Sequence, residues 1–278
     1  MSSAVRVRVE SAAITANAVS VLGTAVEVGD AATEWLERRV VIPALTSCGE
    51  CDFCRRGAPQ GCADAKRLRP EIPVPGHFEA SARFLVAVDR IGEGAPALAG
   101  ESPLATSNSA VAVLGSAGLT AYGAFCALGV APGEPVVVVG DGTASALVRQ
   151  IAKAKSAAVT TFGEACESLA SKPWRAFSLE ATESDAALLL AALPAGSSVA
   201  INPAAPGVNL SADSLAGRGI SAFFAAEGHP DLLPELVALA VRRELDLDAV
   251  VDRVPAAEAS TEAIETITGA GRAALVEL

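Results

Sequence analysis

The sequence predicts an α/β protein in two parts, a β-rich part followed by a parallel sheet covered by helices. Three observations carry this. Hydrophobic residues make up 51% of the chain but aromatic ones only 4%, so the core is built mostly from Ala, Val and Leu, as buried helices and parallel strands use them. Before Gly115, short alternating or apolar segments are punctuated by Gly, Pro and Asp. After it, fully apolar strands alternate with helical segments.

In the first part, Val5 to Glu10, Val21 to Val28, Arg39 to Pro43 and Arg83 to Val88 read as strands. They predict a small barrel-like β domain over residues 1–115, with a cysteine-bearing lobe at 47–63. In the second part, 116–228, Val136-Val137-Val138-Val139 is an apolar strand, Ala144 to Lys155 a helix, Ala158 to Phe162 a strand and Ala165 to Ser171 a short helix. Strand Ala176 to Glu180, helix Ser184 to Leu193, and strands Ser198 to Asn202 and Ile220 to Ala225 complete the alternation, which builds a parallel sheet with both faces covered. Residues 229–278, with a helix over Pro230 to Arg243 and a terminal strand Ala273 to Glu277, return to the first domain.

Charge narrows the partners. With 21 Lys+Arg against 32 Asp+Glu, the net charge of −11 repels phosphate backbones and anionic lipid heads over most of the surface. No nucleic acid and no membrane partner is expected. Gly, Pro or a charge breaks every apolar run before the ~18 to 20 residues that a membrane helix needs, and Met1 to Arg6 does not open a secretory signal. The expected location is cytoplasmic.

Four of the six cysteines fall in one short polar segment, Cys48-x2-Cys51-x2-Cys54-x7-Cys62. Thiolates at these spacings can converge on one tetrahedral Zn²⁺, with Zn–S near ~2.3 Å and no position left for water or substrate. Such a zinc is structural. An iron-sulfur cluster is the competing occupant, and a reducing compartment argues against disulfides. Cys126 and Cys166 stand alone in apolar helical sequence, where a cysteine reads as a small buried hydrophobe.

The strand Val136 to Val139 runs into Gly140-Asp141-Gly142-Thr143-Ala144-Ser145, a Gly-x-Gly turn and a helix start. Backbone amides there suit a pyrophosphate, so Gly140, Gly142, Thr143, Ala144 and Ser145 are candidate cofactor residues. Ser145 stands where a third glycine is usual, and Asp141 brings a negative charge to the turn. Glu164, past the second strand, is the candidate for the adenosine ribose and would favour NAD over NADP. The competing reading is a tight turn that binds nothing.

Several segments together resemble the medium-chain dehydrogenase/reductase superfamily, the zinc alcohol dehydrogenase relatives. Val5 to Ile14 resembles that family's first strand and Gly23-Thr24-Ala25-Val26-Glu27-Val28-Gly29 its second. Cys48 to Cys62 resembles its structural zinc lobe, and Gly118-Leu119-Thr120-Ala121-Tyr122-Gly123-Ala124 its run into the cofactor strand. The resemblance implies a GroES-like domain with a structural zinc lobe plus a Rossmann domain, and homo-oligomers. It also implies two losses. The catalytic-zinc positions hold Thr15, a deletion and Ser116, and neutral hydroxyls do not replace thiolate and imidazole as zinc ligands. The Rossmann half is shortened between Glu164 and Ala176, which removes the outer strand on the adenine side; Lys172 and Arg175 are the nearby cations.

Two functions follow from the resemblance, and retention of Gly140, Gly142 and Glu164 favours the first. One is a reductase of an activated alkene or quinone that needs no catalytic zinc. It would use NAD(H) and a small-molecule substrate, with Thr15, Asn17, Ser116, Thr120 and Tyr122 near the nicotinamide as positioning or proton-donating groups. The other is a non-catalytic pseudoenzyme that keeps the zinc lobe for assembly, as a homo-oligomer or with a homologue. A repurposed cyclase or isomerase is a third and weaker reading.

Overall fold

The computed structural model describes residues 3–16, 18–48, 50–56, 58–69, 72–88, 108–169, 172–202, 215–225 and 228–278. The chain separates into two compact units, Met1–Leu119 with His229–Leu278, and Thr120–Gly228. This boundary lies four residues beyond the 115/116 expected from composition, inside a helix.

The first unit is organised by a sheet of seven strands. Strand β1 (Ala4–Ile14) pairs antiparallel with β2 (Val19–Val28) along its length, with β6 (His77–Ser81) over its first half and with β14 (Ala273–Glu277) over its second. β3 (Arg39–Ile42) follows β2, β7 (Val86–Ala87) follows β3, and β13 (Val251–Pro255) runs parallel to β14. Val5, Val7 and Val9 alternate inward while Arg6 and Arg8 face out, the period-two pattern of a half-buried strand. Gly23 is required where β2 crosses β1: a Cβ there would lie 2.1 Å from the Arg8 carbonyl oxygen, beside a register shift in the pair. The 3-10 segment Asn108–Gly115 covers this sheet, with Ala110 to Leu114 fully buried.

A short pair, β4 (Leu45–Thr46) with β5 (Lys66–Arg67), frames the cysteine lobe, which contains helix α1 (Asp52–Arg55). The second unit follows within helix α2 (Ala117–Leu128) and is a five-stranded parallel sheet. Its strands are β8 (Pro135–Gly140), β9 (Ala158–Thr160), β10 (Arg175–Glu180), β11 (Ser198–Ile201) and β12 (Ser221–Phe224), in the spatial order β12-β11-β10-β8-β9. Helices α3 (Thr143–Ala154), α4 (Phe162–Ser168) and α5 (Glu183–Ala192) connect them. Val136, Val137, Ala176, Phe177 and Val199 are fully buried, as the apolar runs predict. The first unit then closes with α6 (Leu233–Val241), β13, α7 (Thr261–Gly269) and β14.

The sequence expectations differ from this in specific places. The strand expected to reach Phe162 stops at Thr160, because Thr161 becomes the N-cap of α4. Helix α4 begins at Phe162 rather than Ala165; the expected end at Ser171 lies outside the described residues. Arg83 falls in a 3-10 turn, Ala82–Phe84, ahead of a two-residue strand. Cys126 and Cys166 are exposed, because each lies on the outward side of its helix. No single helix among the described residues is long and apolar enough to cross a membrane.

Candidate functional site

The four lobe cysteines converge. All four sulfurs lie within 4.8 Å of one another, with Cys51 Sγ 3.6 Å and Cys48 Sγ 3.9 Å from Cys54 Sγ. A tetrahedron with Zn–S bonds of ~2.3 Å has edges of about 3.8 Å, so these separations suit a shared tetrahedral ion and are too long for disulfides. Backbone amides point at the sulfurs: Glu50 and Cys51 donate to Cys48 Sγ at 3.5 and 3.4 Å, and Asp64 donates to Cys62 Sγ at 3.4 Å. The amides of Glu50 and Cys51 hold the Cys48 thiol down to about 6. At Cys51 the backbone hydrogen bond at Cys54 pulls downward, but burial and the neighbouring thiols outweigh it and push the group up to about 11. A cation among the four sulfurs would offset the mutual repulsion of adjacent thiolates. The Arg83 guanidinium donates to the Cys48 carbonyl and lies 3.8 Å from Glu50, tying the lobe down.

The Gly-x-Gly turn forms at the carboxyl end of β8, where the sheet order reverses between β8 and β10. Open α/β sheets bind ligands in this crevice. Gly140 sits at φ +100°, and a Cβ there would lie 2.9 Å from the Ala181 amide nitrogen. Gly142 is the N-cap of α3 and offers no side chain to the first-turn amides. Glu180, at the end of β10, supplies one instead: its carboxylate accepts the amides of Ala144 and Ser145, each at 3.0 Å. Arg149 reaches back from α3 to donate to the Gly140 carbonyl at 2.6 Å and lies 3.6 Å from the fully exposed Asp141. The candidate residues Gly140, Gly142, Thr143, Ala144 and Ser145 thus share one turn, and two of its amides are already bonded within the protein.

No protein-family model matches the chain, and no curated protein sequence is significantly similar to it. Solved structures are similar. Alcohol dehydrogenase TADH from Thermus sp. ATN1 superimposes with a TM-score of 0.77 at 17% identity, over 100% of this chain and 94% of that one. A cobalt- and zinc-bound thermostable alcohol dehydrogenase from Pyrobaculum aerophilum gives 0.73 at 19%, over 99% and 92%. A short chain alcohol dehydrogenase from E. coli CFT073, complexed with NADH, gives 0.75 at 13%, over 99% and 92%. The fold is that of the medium-chain alcohol dehydrogenases.

Within this dehydrogenase fold the expected ribose acid has another occupation. Glu164 is the third residue of α4, and its carboxylate accepts the Thr161 amide at 3.0 Å and the Thr161 hydroxyl at 2.8 Å, while its own amide donates to Thr161 Oγ1 at 3.3 Å. This is a complete capping box, and the Thr161 amide holds the Glu164 carboxyl below its ordinary value. β9 is an edge of the sheet among the described residues. Arg175 starts β10, at the end of that strand opposite Glu180, and is spent on Glu134 at 2.8 Å and Ser198 at 2.9 Å. Lys172 is exposed.

The hydroxyls expected near a nicotinamide are likewise engaged. Thr15 donates to the Ala18 carbonyl at 3.1 Å in a local turn. Ser116 is 2% exposed, with its oxygen 2.8 Å from Ser20 Oγ, and Ser20 donates to the Ala112 carbonyl at 2.6 Å. Asn17 lies outside the described residues. Thr120 and Tyr122 belong to the second unit: Thr120 is half-buried on α2, and the buried Tyr122 ring stacks on Phe125 at 6.5 Å with Lys155 Nζ 5.5 Å from its centre. His229 caps the 3-10 turn Pro230–Leu232 by accepting the Asp231 amide.

Two residues of consequence escaped the sequence reading. Glu180 carried one signal, an acid ending an apolar strand beside the glycine turn. Arg149 carried none, since an arginine in the middle of a helix reads as surface.

Proposed function

We propose that this protein is a non-catalytic member of the dehydrogenase fold, braced by one zinc in its cysteine lobe and used as an assembly subunit rather than as an alcohol dehydrogenase. The observation that carries this reading is the Ser20–Ser116 contact. Ser116 stands where zinc-dependent relatives carry a metal ligand, yet its hydroxyl is buried and bonded inside the wall of the first unit. A group held there neither coordinates a metal nor reaches a reacting atom. Thr15 is engaged in its own turn, Glu164 is turned back on Thr161, and Glu180 lays a carboxylate against α3 where a pyrophosphate would seek amides.

Cys48, Cys51, Cys54 and Cys62 would hold the zinc. The ion would supply cross-linking of the lobe and no chemistry, because four thiolates close its shell.

One observation favours a second reading, a reductase independent of catalytic zinc. The Gly140–Gly142 turn is kept, at the crevice where dinucleotides bind in such sheets. A turnover panel separates the two readings: NADH and NADPH with conjugated alkenes, quinones and ketones, and NAD⁺ with simple alcohols. The assembly reading expects no turnover anywhere in the panel. Chelator-insensitive reduction of an alkene or quinone would replace it with the reductase reading, and alcohol oxidation would contradict both.

A further inference from the structure

Two surfaces exposed among the described residues suit each other. The first is on the lobe. Phe53 is 56% exposed, and its ring lies across Gly61, where a Cβ would come within 2.6 Å of the ring. The glycine lets the ring lie flat and fixed while its outer face meets water. Arg56 follows three positions on, beside Phe53 on the helical surface, and both Arg55 and Arg56 are exposed with no acid partner among the described residues. From Phe53 to Arg69 the lobe carries five basic residues against one acidic, in a chain whose net charge is −11. A pre-ordered aromatic ring beside arginine is the composition of a binding hot spot.

The second surface is on α5. Ser184, Ala187, Leu188 and Ala191 are all exposed and recur at the spacing of one helical face, and Leu188 is 58% exposed. Glu183 stands exposed at the start of that face. A helix whose solvent face is this apolar is normally covered.

We propose that the Phe53 knob of one copy docks on the α5 face of a second copy, with Arg56 meeting the acidic start of that helix. The charges choose the occupant. The lobe is locally basic and its target is acidic at the rim, so a lobe facing another lobe would set arginine against arginine, whereas lobe on α5 sets opposite charges together. Such a contact is heterologous, running head to tail, and leaves one knob and one α5 face open in a dimer.

The test is sedimentation velocity on the full, zinc-loaded chain from micromolar to several hundred micromolar, with Phe53→Ala and Leu188→Glu variants. Zinc content and thermal midpoint show that each variant is folded. The wild-type chain is expected to associate with rising concentration, and less so at high salt. Each variant alone is expected to dissociate at least about tenfold more readily. Mixed one to one, the two variants are expected to recover a dimer and nothing larger, because one supplies an intact α5 face and the other an intact knob. A wild-type chain that stays monomeric throughout overturns the proposal. So does association that both variants leave unchanged, which would move the contact to another surface such as the exposed Phe223 and Phe224 of β12. Failure of the mixture to recover a dimer overturns the head-to-tail arrangement. None of these outcomes bears on the turnover panel, so this inference and the assembly reading fail separately.

Discussion

The carboxylate of Glu180 and the amide of Ser145, thirty-five positions apart in sequence, meet at 3.0 Å across the crevice between β10 and α3. With the neighbouring Ala144 bond it makes a two-pronged cap on a helix whose own N-cap is a glycine. An anion at this end is favoured by the helix dipole as well as by the hydrogen bonds. Glu180→Ala should therefore cost about 2 kcal/mol of stability, the range for hydrogen bonds to a charged group. Denaturant unfolding checks this, with Glu180→Gln expected to lose less because an amide oxygen still accepts.

The lobe should carry one zinc per chain. Cys51→Ser leaves three thiolates and an exchangeable position, so metal content should fall well below one after dialysis and the thermal midpoint should drop. Elemental analysis of the wild-type chain should find no second zinc, since Ser116 is bonded inside the scaffold and Thr15 in its turn.

Ser116→Ala tests whether that hydroxyl is scaffold. It should lower stability by about 1 kcal/mol, the ordinary worth of a hydrogen bond, and Ser20→Ala should cost less in that background than in the wild-type chain, because only its bond to the Ala112 carbonyl is left to lose. A double-mutant cycle by chemical denaturation reads the coupling directly.

Glu164 gives a pH signature. Its carboxyl is lowered from 4.5 in the folded chain by the Thr161 amide. A lowered folded value means that the stabilisation is fully present above the unfolded value of about 4.5 and is lost as pH falls through the lowered one. Melting curves of wild type and Glu164→Gln should differ by a constant amount at neutral pH and converge below that range. The capping hydroxyl is tested separately: Thr161→Ala should cost about 1 kcal/mol.

Much of this architecture was legible because the signals were local. The four valines of β8 dictate a buried strand whatever surrounds them, and the cysteine spacing alone places Cys48, Cys51, Cys54 and Cys62 within one small loop. What escaped depended on contacts across the fold. β6 reads poorly because His77–Ser81 is never deeply buried, and it exists through its pairing with β1. Glu164 sits at the distance from the turn expected of a ribose acid, but Thr161 three residues earlier offered a capping box, and a short local motif prevailed over a spacing rule. Ser116 looked like an available hydroxyl because nothing near it in sequence announces Ser20, almost a hundred positions away.

We propose that the dehydrogenase fold here has kept its frame and lost its redox site. Isothermal titration calorimetry of the zinc-loaded chain with NADH and with NADPH tests it most directly. Glu180 and Asp141 at the turn, and the engagement of Glu164, predict no saturable heat for either nucleotide up to millimolar concentration. Micromolar binding of either one would contradict the claim.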